Sequence, residues 1–259
     1  MIIGVVSDVH GNYPALMAVL AHAKKIGIEQ IWNLGDFVGY GPYPEDCVKE
    51  LREIATINIA GNYDQKVLKV KKKKSEWSIR KTPQKWLAFE WAFDHLSKDS
   101  LKFLSNLPDS ATLNLDNWRF SLVHGSPESN KEHLSPLTPE NRLIELSQMA
   151  QAKVILCGHS HIPFVRRVGD IWFINPGSVG RMDDGDPRSS YAVILLEESR
   201  FVVTHYRIPY PVNQVVEEIN RHNLPPEFSM MFIMGRNFDY IQELKKVSEQ
   251  HIECAIEKF

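Results

Sequence analysis

Short apolar runs rich in Ile and Val alternate with longer amphipathic stretches through the first half of the chain. The runs at 2–7, 30–34 and 55–60 predict strands, and the stretches at 13–26 and 44–53 predict helices. Parallel strands need a long crossover between them, and a helix of this length supplies one. The first half therefore predicts parallel β-α-β units in an α/β fold.

The second half has a different pattern, in which paired apolar runs are joined by short polar turns. Three hairpins are predicted, turning at Asp116-Asn117, at Gly169-Asp170 and at Glu198-Ser199. A helix at 138–151 and a strand at 153–158 lie between the first hairpin and the second. Parallel units followed by hairpins predict two central mixed β-sheets packed face to face, with helices flanking them.

Two further segments have helical spacing. Residues 82–106 predict two helices, of which the first starts from a Thr cap followed by Pro. The tail predicts helices at about 211–222 and 237–252 and carries no motif. Because we find no repeat and no low-complexity linker, we expect a single domain over 1–259. Its core would span 1–207, with a helical C-terminal extension at 208–259.

Charge and cysteine usage exclude several classes of protein. A formal net charge of −2 indicates neither a nucleic-acid groove nor a membrane surface. The lysine run at 71–74 is typical of a solvated helix end or loop. An odd set of cysteines without a CxxC pair, Cys47, Cys157 and Cys254, argues against a disulfide framework and predicts a cytoplasmic location. No signal peptide and no membrane-spanning apolar segment is recognisable.

Polar residues able to bind metal follow apolar runs at five places in the chain. They are Asp8 and His10 in SDVHGN, Asp36 in GD, Asn62 in GN, His124 in HG, and His159 and His161 in GHSH. Ligands bind outside the carboxyl ends of strands in α/β sheets, so we expect these loops to converge. Carboxylates and imidazoles without thiolates suit Mn, Fe, Ni or Zn. Each fragment alone is typical of a turn or cap, but their order and placement predict a site for two ions.

The motifs D-x-H, G-D, G-N-x-D, H and G-H-x-H in this order resemble the calcineurin-like metallophosphoesterase superfamily. The match spans residues 8–161, and GDFVGYGPYPEDC and INPGSVGRMDDGDPRSSYAV extend it to roughly 1–207. These additional pieces are similar to its bacterial and archaeal predicted-phosphodiesterase branch, which includes diadenosine tetraphosphate hydrolases. The resemblance implies a four-layer sandwich of two mixed sheets between helices, in agreement with the pattern of strands and helices.

The resemblance also implies a role for each motif residue. Asp8, His10 and His161 would hold one divalent ion, Asn62, His124 and His159 the other, and Asp36 would bridge the two. Manganese is the favoured metal. The implied reaction is attack on phosphorus by a hydroxide that bridges the ions, with Asn62 helping to neutralise charge on the phosphoryl oxygens.

Tyr63 departs from the family pattern, because many members have a histidine at this position that protonates the leaving group. A general acid contributes a factor of about 10²–10⁴ in rate. Its loss therefore favours substrates whose leaving group departs readily without being protonated, such as aryl phosphodiesters and nucleotide phosphoanhydrides. Three roles remain open for Tyr63: a wall that stacks on the substrate, a proton donor, or a packing residue. His133 is the candidate to replace the missing acid. The remaining histidines, His22, His95, His205, His222 and His251, are expected to be structural.

Asn12, Tyr63 and Arg181 are the candidate substrate-binding residues. In NPGSVGR, Gly177 and Gly180 could free backbone N–H groups to bind an anion, and Arg181 or Arg188 could contact a phosphate. The alternative is a plain turn between strands. Tyr40 and Tyr43, close to Asp36 in sequence, could line the cleft or simply belong to a Gly- and Pro-rich turn.

Three other functions compete with a hydrolase of phosphodiesters or phosphoanhydrides. A non-catalytic scaffold with this fold would show loss of ligand residues, and none is visible at the seven positions. A phosphomonoesterase or protein phosphatase is disfavoured by Tyr63, and a nuclease by the net charge. The expected partner is a small phosphorylated substrate, for which a nucleotide is one candidate, and the sequence leaves a homo-oligomer open.

Overall fold

The computed structural model describes residues 1–197 and 200–256. The first part of the chain alternates strands and helices: β1 (Ile2–Val6), α1 (Tyr13–Lys25), β2 (Gln30–Asn33), α2 (Pro44–Ile54) and β3 (Ala55–Asn58). Four helices follow: α3 (Asn62–Leu68), α4 (Val70–Arg80), α5 (Pro83–Asp94) and α6 (Lys98–Ser105).

The remainder is richer in hairpins. It contains β4 (Ser110–Leu115), β5 (Trp118–Val123), α7 (Glu140–Ala150), β6 (Val154–Leu156), β7 (Phe164–Val168), β8 (Ile171–Asn175), β9 (Ser189–Leu196) and β10 (Phe201–Ile208). The chain then continues through α8 (Val212–Arg221), α9 (Pro226–Met234) and α10 (Phe238–Ile256).

The strands form two five-stranded sheets, ordered β10-β9-β1-β2-β3 and β4-β5-β6-β8-β7. In the first sheet β1, β2 and β3 run parallel and β9 pairs antiparallel with β1. In the second, β5, β6 and β8 run parallel, and hairpins add β4 and β7 at the edges. This topology confirms the predicted α/β fold with two mixed sheets.

The two sheets pack face to face through one hydrophobic cluster. Ile3, Val5 and Trp32 enter it from the first sheet, and Phe120 and Leu122 enter from the second. The rings of Trp32 and Phe120 meet edge to face, with centroids 5.3 Å apart, an arrangement that aromatic pairs favour. Because side chains alternate along a strand, the opposite face of the first sheet is left for the helices.

Helices on the outer face of the first sheet complete the layers. A second cluster joins Leu16 and Val19 of α1 to Val48 and Leu51 of α2. The C-terminal helices contribute to the same cluster through a set of buried apolar side chains, Val215, Ile219, Phe228, Phe232, Phe238 and Ile241. No helix in the described ranges is long and apolar enough to cross a membrane.

The predicted elements mostly hold, with differences confined to short helices and one turn. The hairpins at 116–117 and 169–170 are confirmed, while the predicted turn at Glu198-Ser199 lies outside the described residues. Helices α3, α4 and α9 were not predicted, because the first two follow each other almost without a break and α9 is apolar around most of its surface. The lysine run at 71–74 lies in α4, mostly exposed, as expected of a solvated segment.

We expect Phe120→Ala to lower the free energy of unfolding by about 3–5 kcal/mol, because it leaves a cavity between the sheets beside Trp32. The measurement is urea denaturation followed by circular dichroism. Leu137→Ala is the matched control, since Leu137 is 90% exposed and truncation of an exposed side chain changes stability by about 0.5 kcal/mol or less. Equal losses in the two variants would contradict a core located between the sheets.

Candidate metal centre

Five loops converge at one edge of the sandwich, each following the carboxyl end of a strand. The loop after β1 holds Asp8 and His10, the loop after β2 holds Asp36, and Asn62 follows β3. From the second sheet, His124 follows β5, and His159 and His161 follow β6. The side chains of all seven meet in one buried region, and of them only His159 is partly exposed. The structure thus brings together every residue of the predicted ligand set.

Most of these residues have an uncommon backbone conformation. Asp8, His10, Asp36, His159 and His161 have φ between 50° and 64°, a region that costs a residue with a Cβ atom of order 1–3 kcal/mol. A left-handed residue directly after a strand reverses the chain sharply and aims its side chain back across the end of the sheet. This strain is concentrated where the loops must present polar atoms to one another.

Asp8, His10 and His161 form the first group of three. Their ligand atoms lie within 4.8 Å of one another. Nε2 of His10 lies 3.2 Å from Nε2 of His161, and Oδ1 of Asp8 lies 3.2 Å from Nε2 of His161. These three side chains are geometrically able to hold one metal ion.

Asp36, His124 and His159 form the second group, whose ligand atoms also lie within 4.8 Å of one another. Asn62 adjoins it, with Oδ1 at 3.0 Å from Nε2 of His124 and 3.2 Å from Nδ1 of His159. Oδ2 of Asp36 lies 3.4 Å from Nε2 of His124 and 3.7 Å from Nε2 of His10. A single carboxylate oxygen therefore reaches both groups.

Backbone carbonyls orient three of the imidazoles. Nδ1 of His124 donates to the carbonyl of Leu34 at 2.8 Å, and Nδ1 of His10 lies 3.3 Å from the carbonyl of Val38. Nδ1 of His161 donates to the carbonyl of Arg181. A carbonyl can only accept, so Nδ1 of each ring carries a proton, and it is Nε2 that presents a lone pair to the centre when the ring is neutral. Such partners are the usual outer shell of metal-binding histidines.

Several polar atoms of the ligand set face one another at the centre. Oδ1 of Asp8 is buried and has no hydrogen-bond donor among the described residues, while Oδ2 accepts from Ser7 and from the N–H of His159. The amide oxygen of Asn62 faces two ring nitrogens, although a 180° rotation would instead let its nitrogen donate to them. Convergent lone pairs of carboxylate, amide and imidazole fit a pair of divalent cations.

The electrostatics of the centre are dominated by its two buried carboxylates. Burial opposes ionisation of Asp8, but the nearby histidines hold its pKa well below the usual range. His124 and His10 likewise offset burial and lower the pKa of Asp36 to about 2. In turn, Asp36 raises the pKa of His124 to about 9 against the effect of burial. The centre therefore carries buried negative charge that positive charge must balance.

Asp64 supports the centre from behind. Its carboxylate accepts three backbone hydrogen bonds, from Asp36 at 2.9 Å, from Phe37 at 3.0 Å and from Gly61 at 2.8 Å. Burial and the charge of Asp36 raise its pKa to about 7. One side chain thus ties the loop after β2 to the start of α3. The signal for this role was the Asp three residues after Gly61, a spacing typical of a helix cap.

A pocket of about 320 Å³ opens beside the centre, within the range of small-molecule sites. Its walls include ligand-set residues, aromatic rings and cations: Asp36, Asn62, His159 and His161; Tyr40, Tyr63, Phe89 and Phe238; Lys66, Lys81, Lys85 and Arg181. His133 also lines it, with its ring 5.4 Å from that of His159. The lysines, Phe89 and Phe238 were not predicted. Lys81, Lys85, Phe89 and Phe238 come from segments without a motif, and Lys66 lies in α3 four residues after Asn62.

Two of the three predicted substrate-binding residues line this pocket. The ring of Tyr63 meets that of His10 edge to face at 4.9 Å and lies 5.0 Å from Phe89. The guanidinium of Arg181 lies 5.1 Å from the ring centre of Tyr40 and 5.6 Å from that of Tyr63. Tyr40 lines the pocket, whereas the Tyr43 hydroxyl contacts the carbonyl of Gln214 outside it.

Asn12 is not among the residues that line the pocket. Its amide oxygen accepts from the N–H of Ala15 and caps α1, and its nitrogen donates to the carbonyl of Gly180 at 2.9 Å. Both ends of the amide therefore make structural hydrogen bonds. The structure places Asn12 between two loops, one of which carries Asp8.

The expectation of a backbone anion site in NPGSVGR is wrong. The N–H of Gly177 donates to Asn175 at 2.8 Å, and that of Gly180 donates to the carbonyl of Asp8 at 3.0 Å. The loop therefore supports the backbone at Asp8 through hydrogen bonds. Of the residues in this motif, Arg181 alone lines the pocket. Arg188 instead pairs with Asp186 at 2.6 Å.

Comparison with known protein families agrees with this geometry. The model of the calcineurin-like phosphoesterase superfamily domain matches residues 1–199, about three quarters of the chain. The chain belongs to the calcineurin-like phosphoesterase superfamily. Membership confirms the predicted enzyme class, a metal-dependent phosphoesterase, and the match covers all seven converging residues.

Relatives of this superfamily member include both characterised and uncharacterised proteins. An uncharacterised protein of Methanocaldococcus jannaschii is 32% identical over 251 residues, covering 90% of this chain and 98% of its own. Phosphodiesterase YfcE of Escherichia coli is 28% identical over 193 residues, covering 71% and 82%. The crystal structure of a metallophosphoesterase from Sphaerobacter thermophilus superposes with a TM-score of 0.76 at 29% identity, covering 91% of this chain and 99% of that one.

We expect Asp64→Asn to weaken Mn²⁺ binding by about 10–100-fold, as is typical when an outer-shell partner is changed. The amide places a donor against one of the three backbone N–H groups, so the loop that carries Asp36 loses its anchor. Isothermal titration calorimetry with Mn²⁺ measures the change. Asp170→Asn is the control, because Asp170 is exposed in a hairpin turn. Unchanged affinity in Asp64→Asn would refute the supporting role.

Proposed function

We propose that this protein is a phosphohydrolase that uses two divalent ions to cleave a phosphodiester or a nucleotide phosphoanhydride with a good leaving group. Asp8, His10 and His161 would hold one ion, and Asn62, His124 and His159 the other. Asp36 would bridge them. Manganese is the favoured metal among Mn, Fe, Ni and Zn, since the donors are oxygen and imidazole nitrogen without thiolate.

The position of Asp36 carries this proposal. Its Oδ2 lies 3.7 Å from Nε2 of His10 and 3.4 Å from Nε2 of His124, so one oxygen stands between the two groups of donors. Oδ1 meanwhile accepts from the N–H of Tyr63 at 2.6 Å, which fixes the orientation of the carboxylate. A carboxylate oxygen in this position could be shared by two adjacent ions.

The bound ions would polarise the phosphoryl oxygens and lower the pKa of a water molecule between them. The side chains around the centre supply the remaining functions. Asn62 has an amide group at the edge of the centre that faces the pocket, where it can donate to an oxygen of the phosphoryl group. Nη2 of Arg181 lies 3.4 Å from Nε2 of His161. The guanidinium would therefore lie beside the phosphoryl group of the substrate and stabilise the negative charge that develops on it in the transition state.

Tyr63 narrows the choice of substrate. Its ring contacts His10 and Phe89 and lies 5.9 Å from Tyr40, a packing that supports a role as pocket wall. A phenol is intrinsically a weaker acid than an imidazolium, so tyrosine is a poor substitute for the histidine that protonates a leaving group. The substrate would therefore have a leaving group stable as an anion, such as an aryl oxide or a phosphate, in line with the phosphodiesterase name of the E. coli relative.

The competing functions have less support. A non-catalytic scaffold would tolerate loss of the ligand residues, yet all seven are present, and backbone groups orient five of them: Asp8, His10, Asp36, His124 and His161. A phosphomonoesterase or protein phosphatase acting on alkyl esters needs a stronger acid than Tyr63. A small phosphorylated substrate, including a nucleotide, fits the pocket volume. The buried free thiols of Cys47 and Cys157 fit the predicted cytoplasmic location.

Excess EDTA is expected to abolish hydrolysis of bis(p-nitrophenyl) phosphate, and added Mn²⁺ to restore it, because the reaction depends on the bound ions. Asp36→Asn should lower kcat/KM by at least the ~100-fold that outer-shell changes reach, measured by release of p-nitrophenolate. Asp116→Asn, in a hairpin turn where Asn is equally suited to φ 50°, is the control. Full activity in EDTA would refute a metal-dependent reaction.

Tyr63→Phe is expected to keep hydrolysis of bis(p-nitrophenyl) phosphate within about twofold, since a wall needs the ring and not the hydroxyl. Tyr63→His should selectively increase hydrolysis of an alkyl phosphodiester by up to about 10²–10⁴-fold, because it restores an acid. The measurement is kcat/KM for the aryl and the alkyl ester in parallel. A large loss in Tyr63→Phe would instead identify the hydroxyl as the proton donor.

A further inference from the structure

Three lysines line one wall of the pocket beside the metal centre. Lys66 comes from α3, Lys81 ends α4 as its C-terminal cap, and Lys85 lies in the first turn of α5. We call Lys66, Lys81 and Lys85 the basic wall. None of them belongs to a ligand motif, and the net charge of the chain does not reveal them.

Two members of the basic wall have no acidic partner. Lys85 pairs with Asp239 at 2.5 Å. By contrast, no carboxylate in the described ranges lies within 4.0 Å of Nζ of Lys66 or Lys81. Lys66 instead lies over the ring of Tyr63 at 4.5 Å, and Lys81 lies over Trp77 at 5.1 Å. With the side-chain amide of Asn62 rotated by 180°, its oxygen also accepts from Nζ of Lys66 at 2.8 Å. Both ammonium groups therefore lie on aromatic rings and line the pocket.

The electrostatic surroundings of these lysines favour an anion. Lys66 is partly buried, and the positive charges of Lys81 and Arg181 act on it as well as the negative charge of Asp36. Burial and the charge of Lys85 lower the pKa of Lys81. Like charges gathered in a half-buried wall repel one another, and a bound anion removes that repulsion.

The C-terminal extension closes the pocket next to the basic wall. Asn237, Phe238 and Asp239 at the start of α10 line it. The N–H of Asn237 donates to Asp183 at 2.9 Å, and its side chain donates to the same carboxylate at 2.7 Å. A substrate group in this part of the pocket is therefore enclosed between the lysines and α10.

We propose that the basic wall binds a second phosphate group, bonded through oxygen to the phosphorus that is attacked. The substrate is then a phosphoanhydride, which deepens the proposed function and rests on it. Water oxygen forms the new bond to phosphorus, and the bridging P–O bond breaks with its electron pair on the departing phosphate. Lys66 and Lys81 neutralise that charge, and the water proton passes to solvent. This explains how the site works without a histidine at position 63.

Equilibrium binding of two stable probes tests the wall separately from catalysis. Methylenediphosphonate and methylphosphonate are titrated into the full-length, Mn²⁺-loaded protein at constant free Mn²⁺, followed by calorimetry. We expect the diphosphonate to bind at least ~10-fold tighter, because it adds charge-assisted hydrogen bonds to lysine. Lys66→Met and Lys81→Met should each reduce this ratio by about 5–10-fold, on the scale at which ~1.4 kcal/mol is tenfold.

Two matched variants serve as controls. Lys72→Met removes an exposed lysine of α4 that does not line the pocket and should leave the ratio unchanged. Lys81→Arg keeps the positive charge and should retain the preference. A wild-type ratio near one, or a ratio insensitive to both methionine substitutions, overturns the second-phosphate site. Failure of the proposed function would appear separately, as absence of Mn²⁺-dependent bis(p-nitrophenyl) phosphate hydrolysis in the wild type.

Discussion

The centre depends on left-handed backbone at the ends of parallel strands. Asp8, Asp36 and His159 can reach the same few ångströms only because each turns back directly after its strand. That conformation costs free energy at each position, and the cost is met by the rest of the fold. The tightly packed layer between the sheets, centred on Trp32 and Phe120, fixes the positions of the strand ends. The loops that follow these strands are thereby held in their strained conformation.

A second layer of interactions converts this placement into orientation. Carbonyls of the loop after β2 fix the rings of His10 and His124, and Asp64 fixes that loop in turn. The NPGSVG strand-end loop supports the chain at Asp8 by hydrogen bonds to its carbonyl. The orientation of the side chains at the centre is therefore set largely by hydrogen bonds to backbone groups. Every residue type provides such groups, so this support does not depend on which side chains the loops carry.

The ligand set was predictable from sequence because each member lies next to a strand whose apolar run is visible by itself. Tyr63 could also be recognised as a departure from the family pattern. Lys81 and Lys85 could not be predicted as pocket residues, since the end of α4 and the start of α5 meet the pocket only through tertiary packing. The N–H group of Gly180 could not be judged from sequence for a related reason, because its acceptor, the carbonyl of Asp8, lies far away in the chain. The acceptor of the Gly177 N–H is the side chain of Asn175, only two residues away. Local pattern identifies chemistry, but it does not identify which groups are already satisfied.

The two hydrogen bonds from Asn237 to the carboxylate of Asp183 attach the start of α10 to the pocket, and this has a consequence for how the sequence of such a protein can diverge. Part of the pocket wall is encoded by a segment beyond the family domain, while all the candidate metal donors lie before residue 162. Substitutions around α10 can alter which molecules fit without disturbing the ions or the strained loops. The part of the pocket wall at the start of α10 can therefore diverge independently of the metal donors, whereas Tyr63 and the basic wall lie in the same stretch of the chain as those donors.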